Sequence, residues 1–268
     1  MSGKPPDETW EDGLDEGERR LSRAPAALAA TGFAGGADVS FGLLAVVVTT
    51  GALTTVMPPE PAHVLGSLTF GLAFALITLG RAELFTENFL IPVSAVYAGR
   101  SPLRLLLRMW GITFAFNAAG LALFAAILSY SGVLEKSALV AVGALADTQV
   151  SRHAGAAFLS AVAAGTIITL FTWVVAAAED ATARLLAALV VGFVLLAPSL
   201  NHAVVSFGEI VFGMAAGTTV ADLWDLVRNT LLATAGNLVG GVGLVFVTRL
   251  AQVRGEPGSD SGASGGGR

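Results

Sequence analysis

The stretch GRAELFTENFL (80–90) places three charged side chains inside one of the most apolar parts of the chain. The residues before it, LGSLTFGLAFALITL (65–79), and after it, IPVSAVYAG (91–99), carry no charge. A charge at the centre of a bilayer costs about 2.5–3.5 kcal/mol on insertion scales. If these flanks cross a membrane, Arg81, Glu83 and Glu87 must therefore face protein or water. The stretch predicts a break in a membrane-spanning helix.

The composition supports a membrane protein. Of 268 residues, 54% are hydrophobic and 13% charged, and the mean hydropathy is +0.73; soluble domains carry about 25% charged residues. Cysteine is absent, and His63, His153 and His202 lack metal-ligand spacing. The net charge of −5 argues against nucleic-acid binding. We find no catalytic cluster, nucleotide loop or metal motif, so we expect neither an enzyme nor a bound cofactor.

Six membrane segments can be drawn through the apolar runs, which predicts an all-α, polytopic membrane protein. The segments cover roughly 28–56, 63–98, 104–130, 155–178, 184–216 and 222–250. The second and fifth are too long for one plain crossing and carry polar interruptions, RAELFTEN (81–88) and PSLNH (198–202). Both are predicted to be broken helices, with Thr86 or Ser199 capping the half-helix that follows.

The basic residues predict the orientation. With the N-terminus in the cytoplasm, eleven Lys and Arg residues lie inside and three outside, with Arg81 within the membrane. The positive-inside rule then predicts a protein of the cell (inner) membrane with both termini in the cytoplasm. We expect an N-terminal tail at 1–26, disordered around the acidic residues 7–17, a channel domain at 27–252, and a disordered C-terminal tail at 253–268.

The chain also repeats weakly. Asn117 in the third segment aligns with Asn237 in the sixth at an offset of 120 residues, and Glu83 aligns with His202 at an offset of 119. Two units of three helices must then have opposite orientation. Such an inverted repeat, with one broken helix in each half, places a substrate site where the breaks meet.

Polar residues near the breaks are the candidate site. The amino ends of the half-helices carry partial positive charge and would attract an anion, with Arg81 adding to the field and pairing with Glu83. His202 either exchanges protons near neutral pH or is a structural histidine bound to a backbone carbonyl. Asn201, Asn117 and Asn237 are polar groups in apolar surroundings. Interhelical hydrogen bonding is the better interpretation of Asn117, and Asn237 fits a structural or a functional role equally.

Three motifs in this order, ELFTENFL at the first break, NHAVV at the second and GNLVGG in the last helix, resemble the formate/nitrite transporter family. The resemblance covers nearly all of residues 27–252. It implies a homopentamer in which each protomer holds a pore in an aquaporin-like fold. It further implies transport of small monovalent weak-acid anions such as formate, nitrite, hydrosulfide or lactate.

By position, the resemblance assigns roles to individual residues. It implies that His202 is the central pore histidine, that Asn237 contacts the histidine region and that Thr86 faces the pore. The residues that resemble those narrowing the pore are Leu84 and Phe85 on the cytoplasmic side, and Phe70, Phe74 and Leu195 on the outer side. The chain departs from the family where Asn201 replaces an acidic residue. A lysine of the fourth helix has Arg152 or His153 as its nearest counterpart.

These observations predict a channel in which a positive vestibule concentrates the anion and a proton joins it near His202. A bare anion would pay a large desolvation penalty in an apolar constriction, and low dielectric raises the pKa of a weak acid, so the neutral acid crosses more easily. The alternatives are a neutral-solute channel of aquaporin-like fold and a non-transporting scaffold or sensor. An ammonium channel is disfavoured because it needs two close pore histidines.

Overall fold

A computed structural model describes residues 3–255, which form helices and connecting turns without strands. The α-helices are α1 Pro6–Leu21, α2 Pro25–Leu53, α3 Pro59–Ser67, α4 Gly71–Gly80, α5 Ile91–Tyr97, α6 Leu103–Leu128, α7 Lys136–Val150, α8 Ala154–Ala177, α9 Ala181–Leu196, α10 Ala203–Ala216, α11 Leu223–Leu238 and α12 Val247–Gly255. Two 3₁₀ turns, Leu68–Phe70 and Phe85–Phe89, lie in the second crossing. A π-helical stretch, Val239–Phe246, joins α11 to α12.

The crossings follow the predicted plan. Five helical runs among the described residues are long and apolar enough to span a membrane: Pro25–Leu53, Pro59–Gly80, Leu103–Leu128, Ala154–Ala177 and Leu223–Gly255. The remaining crossing is divided between α9 and α10, which have 16 and 14 residues. Each is shorter than the roughly 20 residues that a single crossing requires. The all-α multi-pass fold, with its second and fifth crossings broken, is confirmed.

Matching glycines show how the two halves repeat. Gly36 of α2 and Gly165 of α8 lie 129 residues apart. A Cβ atom on Gly36 would lie 3.0 Å from the Cα of Asn117 in α6, and one on Gly165 would lie 2.5 Å from the Cα of Asn237 in α11. Only glycine allows backbones to approach this closely, as is typical of helix packing in membranes. In each half, the first long helix therefore contacts the last one beside its buried asparagine.

The acidic N-terminal segment is a packed helix, so the prediction of disorder around residues 7–17 is wrong. Helix α1 begins at a proline, has acidic residues in its first turn and arginines in its last turn, and these charges suit the helix dipole. Its apolar side chains Trp10 and Leu14 are buried in a cluster with Leu90 and Phe246. The sequence analysis weighed only the charges and missed this apolar face.

The domain boundaries at 26 and 252 stay predictions. At the C-terminal end, residues 253–255 of the expected disordered tail belong to α12. The rest of that tail, residues 256–268, lies outside the described residues.

Candidate functional site

The first break separates α4 from α5. Arg81 takes the left-handed conformation directly after α4, with φ of 57°, and the helix does not continue. Breaking a helix frees backbone groups that need new partners in an apolar environment. The Oδ1 of Asn117 accepts from the Phe85 N–H at 2.9 Å, and its Nδ2 donates to the carbonyls of Glu83 at 2.9 Å and Gly32 at 2.6 Å. One carboxamide thus holds the break against α2 and α6.

The second break is held in the same way. Ser199 is left-handed, with φ of 53°. The Oδ1 of Asn237 accepts from the Ala203 N–H at 2.9 Å, and its Nδ2 donates to the carbonyls of Asn201 at 3.1 Å and Ala161 at 2.8 Å. Asn237 is therefore bound to the backbone of the second break, and α11 takes the part that α6 takes at the first.

The matching hydrogen bonds correct the register of the repeat. Asn117 bridges residues 83 and 85, and Asn237 bridges residues 201 and 203, so corresponding positions lie 118 residues apart. The left-handed residues 81 and 199 have the same separation. Glu83 thus corresponds to Asn201, and the sequence-based alignment of Glu83 with His202 was wrong by one residue.

The two breaks meet at a contact between Thr86 and His202. The Thr86 hydroxyl lies 2.7 Å from Nε2 of His202, and both residues are fully buried. Nδ1 of His202 accepts from the Val205 N–H at 3.2 Å. Because a neutral imidazole has one N–H group, Nε2 carries that hydrogen and donates it to Thr86. The geometry is that of a neutral imidazole. The Thr86 hydroxyl accepts its hydrogen bond and can still donate its own hydrogen to another group.

The half-helices are capped differently from our expectation. His202 itself is the N-cap of α10, through its bond from Val205, so Ser199 does not have that role. The residue before α5 is Leu90, without a side-chain cap, and Thr86 is used by His202 instead. The prediction that Thr86 or Ser199 caps the following half-helix was wrong, because His202 caps α10 and α5 has no side-chain cap.

Apolar side chains surround this contact. The five residues predicted to narrow a pore, Phe70, Phe74, Leu84, Phe85 and Leu195, lie in one contiguous buried cluster. Phe70 and Phe74 meet edge to face at 5.8 Å between ring centroids. The sequence analysis missed Phe171, which packs on Phe74 at 5.4 Å, and Phe114, which packs on Phe85 at 5.4 Å.

A charged cavity of about 480 Å³ opens on the side of the fold where α1 lies, here called the α1 side. It borders the first break and the apolar cluster, since Ala82 and Phe171 line it. Its charged lining consists of six basic residues, Lys4, Arg19, Arg20, Arg23, Arg81 and Arg184, and four acidic residues, Asp12, Glu16, Glu83 and Glu87. The N-terminal segment, residues 4–23, provides four of the six basic groups, a contribution that the sequence analysis missed.

Glu83 pairs with residues of the N-terminal segment and not with Arg81, as we had expected. Its Oε1 lies 2.7 Å from Nη1 of Arg23 and 3.8 Å from Nε of Arg20, and its side chain is only 4% exposed. Arg81 is exposed at the cavity and belongs to none of the ion pairs formed within residues 3–255. The cost of burying Glu83 is thus offset by Arg23 and Arg20, which lie 60 and 63 residues earlier in the sequence.

The side chain of Asn201 forms hydrogen bonds with a second buried amide, that of Asn229. Its Nδ2 donates to Oδ1 of Asn229 at 3.0 Å, and its Oδ1 accepts from Nδ2 of Asn229 at 3.1 Å. The backbone N–H of Asn201 donates to the Ser160 hydroxyl at 3.0 Å. The residue that matches Glu83 in the repeat is thus neutral, and its partner Asn229 of α11 was not identified from the sequence.

A polar network lies on the opposite side, here called the α7 side. Arg152 donates to the Ser199 carbonyl at 2.7 Å and to Oε1 of Gln149 at 2.6 Å. Nε2 of Gln149 donates to the carboxylate of Glu209 at 2.9 Å, while Nε2 of His63 lies 3.2 Å from the Ser199 hydroxyl. Of these residues, the sequence analysis considered Arg152 as a counterpart of a family lysine. Glu209 was missed, although a charge within the fifth segment was a visible signal.

The comparisons with known proteins agree with this architecture. The sequence profile of the formate/nitrite transporter family matches residues 7–251. An uncharacterised transporter of Bacillus subtilis, YrhG, is 28% identical over 92% of this chain and 93% of its own length. The formate channel BtFdhC of Bacillus thuringiensis is 26% identical over 91% of this chain and 94% of its own.

The fold is also that of a solved structure. A pentameric formate channel with formate bound superposes with a TM-score of 0.71 at 19% identity, covering 86% of this chain and 97% of that one. The family profile begins within α1, so most of this helix lies within the residues that the profile matches. The chain is a multi-pass membrane protein and belongs to the formate/nitrite transporter family.

Proposed function

We propose that the protein is a channel for small monovalent weak-acid anions of the formate type, which cross as neutral acids after gaining a proton near His202. The contact between Thr86 and His202 carries this proposal. It joins the two breaks, it is fully buried, and it lies within an apolar cluster next to a charged cavity. Family membership favours transport over enzymatic activity.

The cavity on the α1 side supports recruitment of anions. Its lining holds six basic and four acidic side chains. Two of the acidic groups, Glu83 and Glu16, are held by arginines, whereas Arg81 has no ion-pair partner among the described residues. A cleft lined with an excess of one charge raises the local concentration of the opposite ion. A carboxylate such as formate would enter this cavity, and Arg81 is available to it.

The apolar cluster supports passage of the neutral form. An ion that leaves water for a site lined by Phe and Leu side chains loses its hydration without compensation, whereas a protonated acid loses far less. The Thr86 hydroxyl accepts from His202 and can donate its proton onward to a carboxylate oxygen. We place the proton transfer at this pair, with His202 and Thr86 acting together.

The relatives support the substrate class and the assembly. BtFdhC is a formate channel, and the superposed structure is a pentameric formate channel with formate bound. We infer a homopentamer of five separate paths in a cell (inner) membrane. Both termini and the α1 side face the cytoplasm, in agreement with the distribution of basic residues.

Flux measurements on purified protein in liposomes test this function. Formate, nitrite, lactate and hydrosulfide are supplied in turn, and the rate is recorded at several pH values. We expect formate flux that rises as the pH falls, and a fall of about a hundredfold in His202→Phe, because a positioned proton donor contributes about 10²–10⁴-fold. Thr86→Val removes the hydroxyl at nearly constant volume and should reduce flux in the same way.

The alternatives give different results in the same assay. A neutral-solute channel would pass glycerol or urea but no weak acid at any pH, and a scaffold or sensor would pass neither. Weak-acid flux that His202→Phe leaves unchanged, with unchanged pH dependence, would contradict the role given to this residue.

A further inference from the structure

One face of α10 carries polar residues from its beginning to its middle. His202, Ser206 and Glu209 follow at spacings of four and three residues, which places them on one side of a helix. Each is fully buried. With a rise of about 1.5 Å per residue, Glu209 lies about 10 Å along the helix from His202, towards the α7 side. A buried polar stripe therefore leads from the central histidine towards the opposite surface.

Two oxygen atoms on this stripe are unusual. The Ser206 hydroxyl and Oε1 of Glu209 are both buried without a hydrogen-bond partner among the described residues. The other oxygen of Glu209, Oε2, accepts from Gln149. Buried polar atoms nearly always have partners, so each exception needs an explanation. Neither oxygen forms a hydrogen bond to the breaks, and both belong to groups that can pass on a proton.

The stripe has an outlet on the α7 side. Gln149 connects Glu209 to Arg152, whose side chain is only partly buried. The remaining charged groups on the elements packed against α10 lie on α2, α6, α7, α11 and the Phe85–Phe89 turn. They are Asp38 of α2, Arg104 and Arg108 at the far end of α6, Lys136 and Asp147 of α7, Asp225 and Arg228 of α11, and Glu87 of the turn. Asp147 bonds Thr219, and Arg228 donates to the Arg152 carbonyl. The charge that acts on Glu209 is that of Arg152.

We propose that Glu209 and Ser206 form a proton branch, separate from the path of the anion, that connects the α7-side surface with His202. The branch rests on the proposed function, since it supplies the proton that the anion takes up there. The proton enters at Glu209 beside Gln149 and Arg152. The anion passes instead through the apolar cluster.

The proton count balances. A proton from water binds Oε1 of Glu209. It then moves through a bridging water to the Ser206 oxygen, while the hydroxyl proton of Ser206 moves through a second water to Nδ1 of His202, because neither oxygen has a direct partner among the described residues. The imidazole releases its Nε2 proton through the Thr86 hydroxyl to the carboxylate. Glu209 returns to its starting form. The imidazole is left protonated on Nδ1, and rotation of the ring restores the starting arrangement, which the Val205 N–H favours because it needs an unprotonated ring nitrogen as acceptor.

Simultaneous recording of formate and proton movement in liposomes tests the branch. An inward formate gradient is applied, and formate uptake and internal pH are followed together. In the wild type, internal formate should rise while the internal pH falls. Glu209→Gln keeps an acceptor for Gln149 but cannot ionise, so we expect coupled uptake to fall by about a hundredfold. Ser206→Ala should lower it in the same direction. Glu135→Gln, an exposed carboxylate before α7, is the matched control and should have no effect.

The outcomes separate the branch from the proposed function. Wild-type protein without formate flux would overturn the proposed function itself. Wild-type flux with normal coupling in Glu209→Gln would overturn the branch alone. If Glu209→Gln does not assemble, as judged by gel filtration, Ser206→Ala decides the question, and unchanged coupling in that variant overturns the branch.

Discussion

The two breaks share one scaffold and differ in their charges. In both, an asparagine from the last helix of the repeat bridges backbone groups two residues apart, Asn117 at the first break and Asn237 at the second. At the first break, the bridged residue is Glu83, held by arginines at an open cavity. At the second, it is Asn201, held by another amide in a fully buried position.

The difference indicates which residues determine the fold and which determine the chemistry. Backbone groups freed by a break need partners wherever the chain is apolar, so the carboxamide bridge is retained in both halves. The side chains on the bridged residues are not fixed by this need. They are charged where the fold opens to water and neutral where it is closed. Arg23 and Arg152, which lie 129 residues apart, show the same difference between a charged and a neutral partner. Arg23 contacts the carboxylate of Glu83, whereas Arg152 contacts the backbone carbonyl of Ser199.

The largest effect should come from removing the shared scaffold. Asn117→Leu and Asn237→Leu each remove three hydrogen bonds and leave buried backbone groups unpaired, at about 1–3 kcal/mol for each group. We expect each variant to lose about 3–6 kcal/mol of stability and to fail in assembly, which thermal unfolding in detergent and gel filtration would measure.

Matched controls exist in both helices. Thr113 of α6 and Thr230 of α11 have buried hydroxyls without a partner within residues 3–255, so Thr113→Val and Thr230→Val should be nearly neutral. If Asn237→Leu is tolerated while Asn117→Leu is not, the two breaks are not equivalent in their scaffold.

The sequence predicted the breaks but not their partners, for a physical reason. A charge or a proline in an apolar run is a local signal, and it located both interruptions. The partners of Glu83 are Arg20 and Arg23. They lie in a segment that was predicted to be a tail, because the prediction weighed its charges and not the apolar face formed by Trp10 and Leu14. Arg81 is closer in sequence, but it ends α4 in the left-handed conformation and faces the cavity.

His202 was also identified from a local signal in the sequence, but its contact with Thr86 was not predicted. His202 is a titratable residue inside a break, which is visible in the sequence. Its bond to Thr86 depends on the two halves of the repeat being packed together, and its role as N-cap depends on where α10 begins. Both are consequences of tertiary structure and leave no pattern along the chain.

An intermediate effect should come from the charges at the first break. Arg23→Gln leaves the carboxylate of Glu83 buried with Arg20 at 3.8 Å and the Thr31 hydroxyl at 3.4 Å. Removing one partner of a buried ion pair costs about 3–5 kcal/mol, and the remaining arginine should reduce this to about 2–3 kcal/mol. Thermal unfolding of the detergent-solubilised protein would measure the loss. The double variant Arg23→Gln with Glu83→Gln should recover part of it, because no unpaired charge is then left.

The second break provides the comparison for this variant. Arg152 donates to the neutral Ser199 carbonyl and is partly exposed, so Arg152→Gln should cost about 1 kcal/mol, the value of an ordinary hydrogen bond. Equal losses in Arg23→Gln and Arg152→Gln would show that the charge of Glu83 has no special weight at the first break.

The smallest effect concerns how α1 is held at the cavity. Burial of Glu16 opposes ionisation, but hydrogen bonds and charge from Arg20 and Arg19 dominate and lower the pKa of its carboxyl group below the ordinary value of 4.5. A lowered pKa stabilises the folded state fully above pH 4.5 and loses this contribution as the pH falls through the folded-state value. Because these groups are partly exposed, the contribution should be at most about 1 kcal/mol. After correction for intrinsic exchange rates, hydrogen exchange of residues 6–21 in the wild type should therefore accelerate as the pH falls below 4.5. In Glu16→Gln, the same residues should exchange faster than in the wild type at neutral pH and show no further acceleration below pH 4.5. An identical pH profile in both proteins would show that other contacts, such as that of Trp10 with Phe246, hold α1 in place.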